Sequence, residues 1–160
     1  MDYARAAQAF EKVLRIAPNN INARMQLAFV RYRELRRADF AEQLEKVLAI
    51  DARNVSALTA FANHLVIFRH FDRALAVQQQ LVNIRPDDVD LQGKYQRIEH
   101  WKSGKWDAFD KWRSALPPGV ERTSGRVWAL DSDRAVARRD FDAAMRLIDA
   151  MPEEMLTGEW

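Results

Sequence analysis

The chain of 160 residues has no cysteine. This removes disulfide bridges, thiolate metal ligands and a cysteine nucleophile together. It leaves the compartment open, because cysteine-free proteins occur on either side of a membrane. No apolar run approaches the roughly 18 residues that a membrane-spanning helix needs, so this segment is not expected to insert. No signal peptide is visible. Charge of one sign is also lacking: 25 basic residues face 23 acidic ones, a formal net charge of +2. Both signs alternate along the chain, as in Glu42, Glu45 and Lys46 or Asp140, Asp142 and Arg146. A nucleic-acid binder would concentrate basic residues on one face, so no nucleic acid is expected.

Groupings that carry chemistry are equally scarce. There are three histidines, His64, His70 and His100. His64 and His70 stand six residues apart, not the four that would bring two metal ligands onto one helix face. None of Ser56, Ser103, Ser114, Ser124 and Ser132 lies in a nucleophile elbow. Ser124-Gly125 is not a phosphate loop. Carboxylates are numerous but occupy ordinary surface places, and paired acid–base work needs two in one pocket. The sequence therefore assigns no catalytic residue, no metal and no cofactor.

What is present is a core and a repeat. Apolar residues make up 48% of the chain, enough to build a continuous interior. Phe10-Glu11-Lys12-Val13-Leu14 aligns with Leu44-Glu45-Lys46-Val47-Leu48 and with Gln78-Gln79-Gln80-Leu81-Val82, so the copies begin at the evenly spaced positions 10, 44 and 78. The following segments match as well: Ala17-Pro18-Asn19-Asn20, Asp51-Ala52-Arg53-Asn54 and Arg85-Pro86-Asp87-Asp88. Each then opens a new helix, at Ile21, Val55 and Val89. The period predicts helix–turn–helix units over 21–54, 55–88 and 89–116, preceded over 1–20 by the second helix of a unit. Residues 117–125, with Pro117-Pro118-Gly119, read as a loop or hinge. A further degenerate hairpin and the start of another element fill 126–160.

The pattern resembles the tetratricopeptide repeat family, whose unit is a 34-residue helical hairpin with small and bulky residues at fixed places. The resembling pieces are Tyr3-Ala4-Arg5-Ala6 leading to Phe10, Leu14 and Pro18, and Phe71-Asp72-Arg73-Ala74 leading to Leu81 and Pro86. Leu27-Ala28 stands where the family has a Leu–Gly pair, and Trp128, Phe141-Asp142-Ala143-Ala144 and Met151-Pro152 repeat the motif late in the chain. The likeness implies an all-α fold, a right-handed α-solenoid of antiparallel helix hairpins. The residue types suit such packing. Small Ala6, Ala74 and Ala144 belong where paired helices cross, and Phe10 and Leu44 fill the space a turn later. A single hairpin cannot cover its own apolar stripe, so copies must stack.

Two places depart from the pattern. Phe40 stands four residues before Leu44, whereas Tyr3 and Phe71 stand seven before Phe10 and Gln78. Either the turn through Arg36–Asp39 is longer and the following helix shorter, or that helix starts earlier and Phe40 replaces the small residue at the crossing, wedging the hairpin. In the fourth copy Gly104 makes the turn and Trp106, Phe109, Trp112 and Leu116 form an aromatic stripe, which fills a wider gap or marks a bend. The chain is expected to be a fragment of a longer protein, with ends that are not capped by polar helices and could self-associate.

In the family the first helix of each hairpin lines a concave groove. By register the groove places are Asn22, Met25, Gln26, Phe29 and Arg33 in one copy; Ser56, Thr59, Asn63, Val66 and Ile67 in the next; and Lys94, Arg97 and Trp101 in the third. Asn63 suits the backbone of an extended peptide. Met25, Phe29 and Trp101 suit apolar side chains, and Lys94 and Arg97 suit acidic ones. Phe29, Ile67 and Trp101, taken singly, read rather as core packed between hairpins. The lysine–asparagine–arginine clamp with which chaperone-binding members hold a C-terminal carboxylate is replaced by Met25, Phe29, Thr59 and Ala60, so that ligand is not expected. The sequence thus points to a non-catalytic scaffold for a protein or peptide partner. Alternatives are an oligomerisation or spacer module of a larger bacterial signalling protein, and a nucleic-acid-binding repeat using Arg31, Arg33, Arg36 and Arg37.

Overall fold

The helices begin where the sequence supplies caps. In the computed structural model, which describes residues 2–151, the side chains of Asp2, Asn20, Asn54, Asp88, Ser124 and Asp140 each accept a hydrogen bond from a backbone N–H three residues on. Asn20, Asn54 and Asp88 hold the same place in successive copies, so the cap recurs with the repeat. Nine α-helices result among the described residues, and no strand: α1 Tyr3–Ile16, α2 Ile21–Arg33, α3 Arg37–Ile50, α4 Val55–Ile67, α5 Phe71–Ile84, α6 Val89–Ser103, α7 Asp107–Ser114, α8 Gly125–Ala137 and α9 Phe141–Asp149. A single 3₁₀ turn, Val120–Arg122, precedes α8.

The starts of α1, α3 and α5 fall at positions 3, 37 and 71, and those of α2, α4 and α6 at 21, 55 and 89, both series stepping evenly. From α5 to α7 the step lengthens slightly, and from α7 to α9 it returns to the earlier value. The early-start alternative therefore holds for α3: it is as long as α1 and α5, 14 residues each. Phe40 occupies the place of Ala6 and Ala74. It does not wedge the hairpin open. It is 4% exposed and packs its ring against Tyr32 at 5.2 Å and His64 at 5.3 Å.

The turns inside the hairpins share one construction. After α2, Leu35 N–H donates to Tyr32 C=O and Arg36 N–H to Arg31 C=O; the same pair of bonds follows α4 at Arg69 and His70, and α8 at Arg139 and Asp140. This 5→2 and 6→1 pattern requires a left-handed residue, supplied by Leu35, Arg69 and Arg139 at φ of 61°, 59° and 59°. Only after α6 is the residue a glycine, Gly104 at φ 72°. A non-glycine residue in that conformation is strained by roughly 1–2 kcal/mol. Leu35 is 72% exposed and contributes little packing. Leu35→Gly is expected to raise stability by about 0.5–1 kcal/mol and the melting temperature by about 1–4 °C, while Leu35→Val lowers both; thermal unfolding followed by circular dichroism checks the sign.

The chain forms two compact units, Met1–Leu81 and Val82–Trp160, which divide in the last turn of α5. In the first, α2 packs on α1 and α3, and α3 on α4. Ala28, Ala57, Ala62 and Ala74 are fully buried, and small side chains at these crossings let Leu44, Val47, Leu58 and Leu65 fill the space between. In the second, α6 packs on α7 and α8, and α8 on α9. Phe109, Ile98, Val127 and Leu130 form its centre. The loop between α7 and α8 is tied down. Glu121 pairs with Arg113 at 2.7 Å, and the Ser124 hydroxyl donates to Asp90 while also capping α8. The expected element over Glu153–Trp160 lies outside the described residues.

Candidate functional site

Helix α2 exposes one face, and α4 repeats most of it. At about 100° per residue, places 22, 26, 29 and 33 of α2 share one side of that helix. Asn22, Gln26 and Arg33 are exposed there, and Phe29 is 44% exposed. The same places on α4 hold Ser56, Ala60, Asn63 and Ile67. Ser56 and Asn63 are exposed, Ile67 is 56% exposed, and Thr59 and Val66 are half-buried beside them. Met25 lies in the core instead, 8% exposed. Its place is at the edge of the face, and its flexible side chain turns inward. Phe29 and Ile67 do not complete the core. They stand on the open side.

Beneath Phe29 runs an aromatic chain that sequence reading missed. Phe29, Tyr32 and Phe40 meet, Phe40 meets His64, and His64 meets Phe68 at 4.8 Å, with the Arg37 guanidinium 5.2 Å from the Phe68 ring centre. The available signal was Phe40 itself, since a large ring at a small-residue place must be received by its neighbours. His64 is the one titratable member among the residues that stack end to end from Phe40 to Phe68. Its Nδ1 is buried without a hydrogen-bond partner among the described residues. Burial, then the charges of Arg37, His70 and Arg73, push its pKa below the usual histidine value. The folded unit therefore binds fewer protons than the unfolded chain. The stability contributed by neutral His64 is complete above the unfolded pKa of about 6.5 and is lost as pH falls from there through the lower folded value. Denaturant midpoints measured from pH 7.5 to 5 should fall more steeply for the parent chain than for His64→Leu.

In the second unit the face of α6 is basic. Lys94 is pushed down to about 8, by burial and then by Arg126 of α8. Burial, then Arg97, also pushes Arg126 below its usual value, with Asp90 and Asp133 acting in the opposite sense. Gly93 makes this approach feasible: a Cβ there would lie 2.8 Å from Arg126 Cγ and 3.3 Å from the Trp112 ring. Arg97 is held in place, paired with Asp133 and set 5.4 Å from the Trp101 ring centre. Trp101 is 45% exposed. The structure thus brings Lys94, Arg97 and Trp101 together and adds Arg126, which sequence reading had not singled out.

Of the arginines considered for nucleic acid, Arg33 is exposed and the other three are engaged within the chain. Arg31 is tied to Glu11 and Glu34, Arg36 to Asp39, and Arg37 lies over Phe68. Two recesses lie elsewhere. One of about 510 Å³ is lined by α1, α2 and α3, and one of about 460 Å³ by α7, α8 and α9.

No protein-family model matches the chain, and no curated protein matches it in sequence. Solved structures do match. The crystal structure of MamA, a protein with tetratricopeptide repeats, superposes with a TM-score of 0.66 at 18% identity, over 92% of this chain and 88% of MamA. A mutant O-GlcNAc transferase of Thermobaculum terrenum superposes with a TM-score of 0.54 at 20% identity, over 85% of this chain but only 23% of the transferase. With the even helix register, these likenesses define the fold as a tetratricopeptide-like helical repeat, an α-solenoid of stacked hairpins.

Proposed function

We propose that the chain is a non-catalytic scaffold that seats a peptide or a segment of a protein partner against the open faces of its first helices, in the groove that the repeat resemblance implies. The observation that carries this reading is the character of those faces. In the first unit Phe29 of α2 and Ile67 of α4 leave apolar surface exposed, and Asn63 shares the exposed side of α4 with Ile67, which suits an extended backbone with apolar side chains. In the second unit Lys94 and Arg126 stand close together and partly desolvated, beside exposed Trp101. An acidic side chain suits a face of this charge. Among peptides selected from a random library on the full chain, those held by the second unit should be rich in acidic residues and those held by the first unit in apolar ones. Their affinity should drop roughly tenfold or more on Phe29→Asp or Asn63→Ala. Unchanged affinity in both variants would contradict the proposal.

A second reading, self-association, is favoured by α9, where Phe141, Met145 and Ile148 form a stripe 61%, 55% and 51% exposed. Light scattering across a concentration series separates the two. A mass independent of concentration rules against self-association.

A further inference from the structure

The recess of about 510 Å³ in the first unit opens on the opposite side of α2 from the face just described. Arg24, Leu27 and Arg31 share its side of the helix, half a turn from Gln26, Phe29 and Arg33. One repeat later the same places hold Leu58, Phe61 and Leu65, which are 1%, 5% and 2% exposed. There the copy closes with apolar side chains. In α2 two of the three are arginines, and the space stays open.

Most charges around this recess are matched. Arg31, its side chain 12% exposed, pairs with Glu11 of α1 and with Glu34. Burial works against its charge, but the Glu34 hydrogen bond and the fields of Glu34, Glu11 and Asp39 outweigh it. Asp39 pairs with Arg36, and Glu42 with Lys46. Arg15 and Arg24 also line the recess, and neither is paired with a carboxylate among the described residues. Arg24 donates to the Gln43 amide oxygen at 3.3 Å and to the Pro18 carbonyl at 2.6 Å. Its Nε–H is buried with no acceptor among the described residues. An unfilled buried donor on a guanidinium is a cost that a ligand oxygen removes.

We propose that this recess binds a phosphate-class oxyanion, with Arg24 and Arg15 as its direct contacts. A guanidinium presents donors in a planar fork that matches the oxygens of phosphate, and it keeps its charge at every physiological pH. Arg31, Arg36 and Lys46 offset three of the four carboxylates Glu11, Glu34, Asp39 and Glu42, so with Arg15 and Arg24 the surroundings of the recess keep a net charge of +1. The volume lies within the roughly 300–1,000 Å³ common to small-molecule sites, which admits pyrophosphate or a phosphate ester as readily as single phosphate. The recess in the second unit is a natural control. There Asp110 engages both Arg134 and Arg138, and Asp131 and Glu121 both engage Arg113.

The test is a pyrophosphate titration of the full chain at fixed ionic strength, followed by arginine side-chain NMR, with inorganic phosphate and a nucleoside diphosphate as parallel arms. The expected result is a saturable shift of the Arg24 Nε–H resonance in at least one arm. The arm that binds tightest identifies the source of the phosphate. Arg15→Gln and Arg24→Gln should each weaken that binding roughly tenfold, while Asn63→Ala leaves it unchanged. Arg15 has no carboxylate partner to lose among the described residues, so its variant remains informative even if Arg24→Gln disturbs the α2–α3 contact. Shifts no larger than those produced by chloride would overturn the proposal. So would affinity unchanged in both arginine variants, or shifts centred on Arg146 of the other recess.

Discussion

Phe109→Ala is expected to cost about 3–5 kcal/mol of stability. The ring is 1% exposed and sits at the centre of the second unit. It meets the Trp106 ring edge-on at 5.4 Å and the Trp112 ring at 5.7 Å, and the Arg134 guanidinium stands 6.0 Å from its centre. Truncation removes buried apolar surface and leaves a cavity that large aromatic neighbours fill poorly. Helix α7 has only eight residues, and Phe109 anchors it together with Trp112, whose Nε1–H donates to Gln92 of α6, and with Trp106 at its start, which stacks on His100. Tryptophan fluorescence is a suitable reporter, because all five tryptophans of the chain lie at or beyond Trp101. The denaturant midpoint of that signal should fall sharply for Phe109→Ala and by less than half as much for Phe109→Leu. A small change for alanine would mean that the aromatic stripe is peripheral to the core.

The second large effect is expected for Leu65→Arg. Leu65 stands one full repeat after Arg31 and fills the same place in the next copy, 2% exposed. Arg31 tolerates burial because Glu11 and Glu34 accept its two ends. At Leu65 the residue matching Glu34 is Phe68, so half of that support is missing. Breaking the balance of a buried charge costs about 3–5 kcal/mol, and the lost leucine packing adds to it. Far-UV circular dichroism should show the first unit unfolding at markedly lower denaturant. Leu65→Met, of similar volume, should cost less than about 1.5 kcal/mol. If arginine were accepted at Leu65 without loss, the contrast between the open and the closed copy would not rest on charge pairing.

The repeat was readable because its signals are local. Asn20, Asn54 and Asp88 cap helices by bonds to residues three places on, and such bonds need no knowledge of the rest of the molecule. Whether Phe40 shortened α3 could not be read locally. The answer depended on Tyr32 and His64, which come from two other helices. The open faces were legible to the resolution of a helix turn. Phe29 and Asn63 stand on them, whereas Met25, at their margin, went to the core because small rotations at a helix edge decide burial. Arg126 escaped notice because its closeness to Lys94 comes from the contact of α6 and α8 across Gly93. Arg31 was read only as part of an alternative nucleic-acid patch, and Arg24 was not singled out. Only comparison with Leu58 and Leu65, one period later, marks them as substitutions in an interior place.

The proposed scaffold role depends most on which side of the first helices meets a partner. The most direct measurement is amide NMR mapping of a library-selected peptide on the full chain. Perturbations should centre on Asn22, Gln26, Phe29, Asn63 and Ile67 for a peptide held by the first unit, and on Lys94 and Trp101 for one held by the second. Perturbations confined to α1, α3 and α5, with those residues unmoved, would contradict that role.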